Sequence, residues 1–222
     1  MNKVLCVAPH PDDETLGCGG TLLRHLAEGD EVYWLIMTDL FEKEGFTSQK
    51  IAQRKREIHK VSELYKFSGY HQLPLPTATL DTIAQKELIS LVSDYINSVE
   101  PNIIYAPFKH DAHSDHASVF NAISPCTKTF RYPFVKKFRI YETLSETEFN
   151  VDPNGTGFKP NLWVDISDFL EKKIEIMKIY SSEIHSHPFP RSVENIIALS
   201  RLRGATVSVR AAESFIVTKD II

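Results

Sequence analysis

Two groups of histidine and carboxylate residues follow short apolar segments in this sequence. The first is residues 10–14 (HPDDE), directly after the apolar run KVLCVA, and the second is residues 110–116 (HDAHSDH), just beyond NIIYAP. Histidine nitrogens and carboxylate oxygens are common zinc ligands, and a catalytic zinc site usually combines three protein ligands with an open position for water. Together the two segments hold enough donors for one such site.

The spacing within each segment suggests which residues meet. His10 and Asp13 are three residues apart across a proline-stiffened turn, so both can face one point while Asp12 projects differently. A third ligand must then come from the second segment. His116 reaches the metal if it lies in the first turn of a helix, and His113 then stands beside the metal as a hydrogen-bond donor.

Two further carboxylates of the second segment are expected to support the ligands. Asp111 and Asp115 can hydrogen-bond the histidine rings, which fixes a ring's tautomer and raises its basicity.

Each segment also has a simpler interpretation when it is taken alone. Acidic residues after a strand often form a solvated loop or collect at a helix N-terminus, and a histidine-rich stretch often lies on the surface. Both segments, however, come at the carboxyl end of an apolar, strand-like run, which is where open parallel sheets bind their ligands. Their shared position favours a metal site.

Short β-type runs alternate with helical patterns, which is typical of βαβ units and a mostly parallel sheet. We predict an α/β fold: one Rossmann-like domain over residues 1–222, with helices on both faces and the active site at the C-terminal edge of the strands. The predicted strands are 3–8, 31–38, 70–75, 102–107, 138–142, 162–166 and 214–217. The predicted helices are 15–28, 49–66, a striped segment over 84–96, one capped by Ser114, and 167–182 capped by Ser167.

Composition excludes several classes of protein. The chain has 222 residues, of which 42% are hydrophobic and 24% charged, as in an ordinary folded protein. A net charge of −4 argues against nucleic acid or an anionic membrane as the main partner. Three scattered cysteines, no signal-peptide core and no bilayer-spanning stretch predict a cytoplasmic protein without stable membrane insertion. Homo-oligomer formation stays open.

The motifs themselves resemble those of a known family. APHPDDETLGCGG together with HDAHSDH is similar to the hallmark segments of the LmbE-like, or PIG-L, family of zinc-dependent N-acetylglucosamine deacetylases. Arg54 and Glu57 fit that family's Arg-x-x-Glu helix, and the C-terminal region is similar as well. The resemblance implies that Arg54 binds substrate.

The resemblance also implies a role for five residues of the two segments. His10, Asp13 and His116 match the zinc ligands, although another divalent transition metal is an alternative. Asp12 matches the general base, and His113, expected to be protonated, matches the histidine that stabilises the tetrahedral oxyanion. Because three ligands are already assigned, Glu14 is expected not to bind the metal. Its carboxylate is expected either to hydrogen-bond the residues that do, or to cap a helix.

The implied reaction removes the N-acetyl group from an N-acetylglucosamine-type sugar, giving acetate and an amino sugar. The sugar is a small-molecule partner that is free or linked to a nucleotide, lipid or glycoconjugate. One alternative is a non-catalytic, metal-stabilised sugar-binding module, although zinc binding alone would require neither Asp12 nor His113. Another is an amidase acting on a different small amide, such as a thiol conjugate.

The sequence departs from the family pattern in two expected substrate-contact loops. Asp39 and Leu40 follow Thr38 where a Gly-Glu pair is common, and Thr77 stands where aspartate is frequent. These departures leave the identity of the sugar open.

A basic segment between Lys128 and Arg139 contains five cationic residues and no acid. It is interpreted as a solvated face or, alternatively, as a contact for a phosphate carried by the sugar.

Overall fold

Strands and helices alternate through most of the chain, as the apolar pattern predicts. The computed structural model describes residues 1–151 and 157–222. The strands within these residues are β1 (Lys3–Ala8), β2 (Glu31–Ile36), β3 (Gly69–Gln72), β4 (Ile103–Pro107), β5 (Lys137–Tyr141), β6 (Leu162–Asp165) and β7 (Ala212–Asp220). The helices are α1 (Asp13–Ala27), α2 (Ser48–Tyr65), α3 (Gln85–Val99), α4 (Ser114–Ile123), α5 (Leu170–Met177) and α6 (Val193–Ala205).

All seven strands form one sheet in the order β3-β2-β1-β4-β5-β7-β6. The first five strands of that order are parallel, and β7 pairs antiparallel with both β5 and β6. The strand order reverses between β1 and β4, and such a reversal opens a crevice at the carboxyl ends of the two strands. The predicted mostly parallel α/β sheet is therefore confirmed.

Apolar side chains cover both faces of the sheet because successive strand residues point in opposite directions. Val4 and Cys6 of β1 pack in one core with residues of α1, α2, α5 and α6. Leu5 and Val7 pack on the other face with α3 and α4. Helices therefore lie on both faces, as predicted. Among the described residues, no helix has the combination of length and apolar character needed to cross a membrane.

Two helix predictions need correction, and one helix of the structure is not predicted. Helix α4 begins at Ser114, but its N-cap is His113, whose Nδ1 accepts a hydrogen bond from the Asp115 amide. Ser167 does not cap α5, since its hydroxyl donates to Asp165 and the helix begins only at residue 170. Helix α6 is absent from the predicted elements. Its buried positions include Ser200 and Gly204, so the sequence lacks the apolar stripe that marks a helix.

Helix α1 is kinked at Cys18, whose backbone angles are not helical. The carboxylate of Glu213 in β7 accepts hydrogen bonds from the Gly20 and Thr21 amides, at 2.9 and 2.7 Å. The Lys173 ammonium of α5 donates to the Leu16 carbonyl at 2.9 Å and to Glu213 at 2.7 Å. A buried ion pair thus supplies bonding partners to the backbone on both sides of the kink.

Removing the lysine of this pair should destabilise the fold. Lys173→Ala leaves the buried Glu213 carboxylate without its counter-ion, and we expect a loss of about 3 kcal/mol in the free energy of unfolding, measured by urea titration. Lys172→Ala is the matched control, because Lys172 forms only an exposed pair with Glu175 and should cost less than about 1 kcal/mol. Equal losses in the two variants would contradict the role given to Lys173.

Candidate metal centre and pocket

The two predicted polar segments meet at the carboxyl ends of β1 and β4. Residues 10–14 follow β1 and lead into α1, which begins at Asp13. Residues 110–116 follow β4 and lead into α4, whose first turn contains the buried His116. Because β1 and β4 are adjacent and parallel, both segments lie at the crevice where the strand order reverses.

His10, Asp13 and His116 converge on a single carboxylate oxygen. Oδ2 of Asp13 lies 3.2 Å from His10 Nδ1 and 3.4 Å from His116 Nε2. One ligand atom from each of the three residues lies within 4.8 Å of the other two, a spacing that suits a metal ion. His116 Nε2 is buried and makes no hydrogen bond to any of the residues that the structure describes. An unsatisfied nitrogen beside a shared carboxylate is the arrangement that a metal ligand needs, so these residues fit a divalent ion.

The charges around this centre are strongly coupled. Burial alone would lower the pKa of each histidine, but the carboxylate partners outweigh it and raise the pKa of His10 to about 9 and that of His116 to about 10. For Asp13, burial acts in the opposite direction, and the two histidines hold its pKa well below the usual range. The centre therefore favours an anionic carboxylate next to positive charge.

Each of the two histidines has a second carboxylate on its other ring nitrogen. Asp111 accepts a hydrogen bond from His116 Nδ1 at 2.7 Å, and Asp115 accepts one from His10 Nε2 at 2.9 Å. Asp115 is itself fixed by the amides of Ala78 and Leu80. Carboxylates in this position hold a histidine in the tautomer that ligates metal and raise its basicity.

Asp111→Asn should weaken metal binding without removing a ligand. The amide oxygen of asparagine carries no charge, so the His116 ring loses part of its basicity, and we expect metal affinity to fall by about tenfold to a hundredfold. Competition with a chromophoric chelator measures this change. Asp94→Asn, on an exposed position of α3, is the control and should keep the native affinity. Unchanged affinity in Asp111→Asn would contradict this role.

Asp12 is buried beside the centre in an unusual backbone conformation. Its φ is 135°, in a region that non-glycine residues rarely adopt, though Asp and Asn tolerate it better than most. Its amide donates to Oε2 of Glu14, whose other oxygen accepts from Thr15 and Tyr180. Burial and the nearby Asp13 and Glu183 carboxylates raise the pKa of Asp12 well above its usual range. Glu14 thus holds the backbone that presents Asp12.

His113 lies next to His10, with ring centroids 4.5 Å apart. Its Nδ1 accepts the Asp115 amide proton at 3.1 Å, and burial together with the His10 charge lowers its pKa. Because Nδ1 acts as an acceptor, a neutral ring in this structure carries its proton on Nε2, whereas the sequence-based expectation is a protonated His113 during the reaction. Nε2 remains available as a hydrogen-bond donor.

Arg54 lines the pocket, but its guanidinium is already bonded to other groups of the protein. It donates to the Pro11 carbonyl at 2.8 Å and to Glu183, and it pairs with Glu57 at 3.3 Å. Arg54 is only 7% exposed. These contacts show that Arg54 braces the loop after β1, in addition to any contact with substrate.

The sequence interpretation misses several residues that line the same pocket, among them Glu146, Glu183 and Arg191. Arg191 Nη1 lies 3.9 Å from the Asp12 carboxylate, and its Nη2 lies 3.4 Å from Glu183. The segment that carries Glu183 and Arg191 also contains His185 and His187, which line no part of this pocket. Its irregular backbone gives no periodic signal from which these contacts could be predicted.

The pocket has a volume of about 320 Å³. It is open to the metal centre through His10, Asp12, Asp13 and His113. The positions that depart from the family pattern, Asp39, Leu40 and Thr77, lie in its wall together with Thr38 and Lys50.

The basic segment 128–139 does not reach this pocket. Lys137 begins β5, whose opposite end, at Tyr141, pairs with the carboxyl end of β4. Lys137 and Arg139 therefore lie toward the other edge of the sheet, and none of the segment's cations lines the pocket. The described pocket therefore does not include these cations, and their contact with a phosphate of the substrate stays a prediction.

Comparison with known proteins places these features in a wider group. The profile of the family described as "PIG-L: GlcNAc-PI de-N-acetylase" matches residues 5–127. A diacetylchitobiose deacetylase from Thermococcus kodakarensis is 28% identical over 87% of this chain and 72% of its own length. A probable N-acetyl-α-D-glucosaminyl L-malate deacetylase from Bacillus anthracis is 19% identical over 81% and 80%. The crystal structure of a conserved protein from Thermus thermophilus is 26% identical, with a TM-score of 0.78 over 100% of this chain and 97% of that one.

Proposed function

Because the chain belongs to the PIG-L family, we propose that it is a metal-dependent hydrolase that removes the N-acetyl group from an acetamido sugar. The relatives whose names mention diacetylchitobiose and N-acetylglucosaminyl malate support a substrate of this class. The observation that carries the proposal is the trio His10, Asp13 and His116 beside Asp12 at the pocket floor. The products would be acetate and an amine.

Zinc is the metal that we propose, held by His10, Asp13 and His116, with another divalent transition metal as the alternative. Two histidines and one carboxylate form a ligand set of the kind found in catalytic zinc sites. What the ion contributes there when bound is Lewis acidity, which acidifies water and polarises a carbonyl group.

Asp12 is proposed as the general base. Its carboxylate takes a proton from the attacking water, and a raised pKa suits that task because the protonated form must become stable during the step. Arg191 and Arg54 act against this rise in the pKa, because their positive charges favour the ionised carboxylate that accepts the proton. The same carboxyl can then return the proton to the leaving nitrogen.

His113 is proposed to stabilise the charge that develops on the carbonyl oxygen. Its Nδ1 is occupied by the Asp115 amide, so Nε2–H is the donor that can point at an oxyanion. A neutral imidazole donor of this kind needs no proton transfer before it acts, and a preorganised donor stabilises the transition state more than the ground state.

The pocket supports a substrate with one sugar ring at the metal centre. Its volume of about 320 Å³ is near the lower end for small-molecule sites. Asp39 and Thr77 can hydrogen-bond sugar hydroxyl groups, while Lys50 and Arg191 can form ion pairs with an anionic substituent.

Acetate release from a panel of compounds tests this function. Purified, metal-loaded protein would be assayed with free, nucleotide-linked and lipid-linked N-acetylhexosamines, and with an acylated thiol conjugate. Activity on at least one acetamido sugar, abolished by chelation and restored by added zinc, is the expected result.

Two other results would replace the proposal. Hydrolysis of the thiol conjugate alone would favour the amidase. Binding of acetamido sugars without acetate release, under every metal tested, would favour a sugar-binding module.

A further inference from the structure

A second pocket lies at the edge of the sheet opposite the metal centre. This basal pocket, of about 230 Å³, is lined by Thr21 and Arg24 of α1 and by Lys137 and Arg139 of β5, among others. The three cations face a single acid in the lining, Glu28, to which Arg24 is already bonded at 2.9 Å. Lys137 also pairs at 3.7 Å with Asp220, which lies outside the lining, so Arg139 is the cation of the lining without a carboxylate partner among the described residues. The lining therefore carries an excess of positive charge.

Arg139 is the least compensated of these cations. One of its terminal nitrogens donates to the Tyr105 hydroxyl at 2.5 Å, but its Nε is buried and makes no hydrogen bond within the described part of the chain. In residues 1–151 and 157–222 the structure contains no ion pair between Arg139 and a carboxylate. An unsatisfied donor on a partly buried cation is costly unless a ligand or solvent completes it.

A chain of hydrogen bonds fixes the position of Arg139. The Tyr105 hydroxyl that accepts from Arg139 lies 2.9 Å from His25 Nε2, and His25 Nδ1 lies 2.7 Å from Asp30. Burial lowers the pKa of His25 and raises that of Tyr105, so the ring is neutral and the hydroxyl keeps its proton. Tyr105 therefore donates to His25, which in turn donates to Asp30, and the guanidinium is held in one orientation.

Thr21 provides a second unsatisfied group in the same lining. It is 1% exposed, and its hydroxyl makes no hydrogen bond among residues 1–151 and 157–222, although its amide is bonded to Glu213. Two buried polar groups that line one pocket and lack partners there indicate a place for a hydrogen-bonding ligand.

We propose that the basal pocket binds a small oxyanion of the phosphate class, either inorganic phosphate or the phosphate group of a monoester. Arginine and lysine at its wall supply charge-assisted donors, and Thr21 supplies a hydroxyl that completes the set. A pocket of about 230 Å³ is smaller than most sites for drug-sized ligands, which favours a compact anion.

The neighbouring acidic residues do not make this a cation site. His25, Glu28 and Asp30 lie close enough together to suggest one, but both ring nitrogens of His25 are already bonded. Both oxygens of Asp30 accept hydrogen bonds from Asn2. The cations of the lining would also repel a metal ion.

Calorimetric titration of the metal-loaded protein with inorganic phosphate at low ionic strength tests the proposal. Because a charge-assisted bond is lost, we expect Arg139→Gln to weaken binding by about tenfold or more. Lys137→Gln, on a half-exposed side chain that leaves the fold intact, should also weaken it. The matched control is Lys136→Gln on the adjacent, exposed lysine, which does not line the pocket and should bind phosphate as the native protein does.

Three results would overturn the proposal: no phosphate binding by the native protein, equal binding by the Lys136, Lys137 and Arg139 variants, or loss of binding in Arg191→Gln alone. The last would place the phosphate in the pocket of the metal centre. Acetate release does not enter this test, so its result is independent of the proposed hydrolase activity.

Discussion

Replacing Asp12 with asparagine is expected to lower kcat for acetate release by a factor of about a hundred to ten thousand, the usual contribution of a general base. Asparagine has nearly the same shape as aspartate but cannot accept the proton of the attacking water. It also tolerates a positive φ, so the strained backbone at this position should be preserved. The metal should stay bound, because Asp12 is not one of the three converging residues.

The control for this variant is another carboxylate in the wall of the same pocket. Asp39→Asn removes a charge whose one bonded neighbour among the described residues is the Leu40 amide, so its effect should fall mainly on KM and leave kcat within about tenfold of the native value. Metal analysis of each variant accompanies the kinetics. Near-normal acetate release by metal-loaded Asp12→Asn would refute the assignment of the base.

His116→Ala should abolish stable metal binding. The change deletes one of three ligand atoms and leaves Asp111 and Asp13 facing a cavity where the imidazole stood. Removal of a residue that hydrogen-bonds a metal ligand already lowers metal affinity by about tenfold to a hundredfold, so removal of the ligand itself should lower it further. Elemental analysis after dialysis, together with chelator competition, measures the change.

His113→Ala distinguishes ligation from proximity. This histidine precedes His116 by one helical turn and touches the same cluster, but its Nδ1 bonds the Asp115 amide rather than the metal trio. It should lose activity and keep its metal. Full metal occupancy in His116→Ala would remove His116 from the ligand set, and equal metal loss in both variants would contradict the distinction drawn between His116 and His113.

The candidate metal centre is predictable because its residues follow strands directly. An apolar strand ends where the chain leaves the sheet, so the polar residues right after β1 and β4 must share one edge. His10, Asp13 and His116 can therefore be grouped together from the sequence alone. The same local pattern points to Asp111 and Asp115. In the structure Asp111 accepts from His116 Nδ1 and Asp115 accepts from His10 Nε2, the ring nitrogens that face away from Asp13.

Other features depend on contacts between distant segments, which a local pattern does not contain. The sequence assigns Arg54 to the site, but the bond from Arg54 to the Pro11 carbonyl depends on how α2 packs over the loop after β1. Arg191 faces Asp12 from an irregular segment, and α6 buries small or polar side chains at Ser200 and Gly204. In each case the information lies in tertiary packing rather than in periodicity.

The contacts that hold the kink in α1 form late during synthesis of the chain. Glu213 lies 193 residues after the Gly20 amide that it bonds, so this contact forms only after β7 has left the ribosome. His10, Asp13 and His116 all belong to the first 116 residues. A growing chain therefore displays every donor of the metal centre while the helix that begins at Asp13 still lacks the bonds that hold its bend.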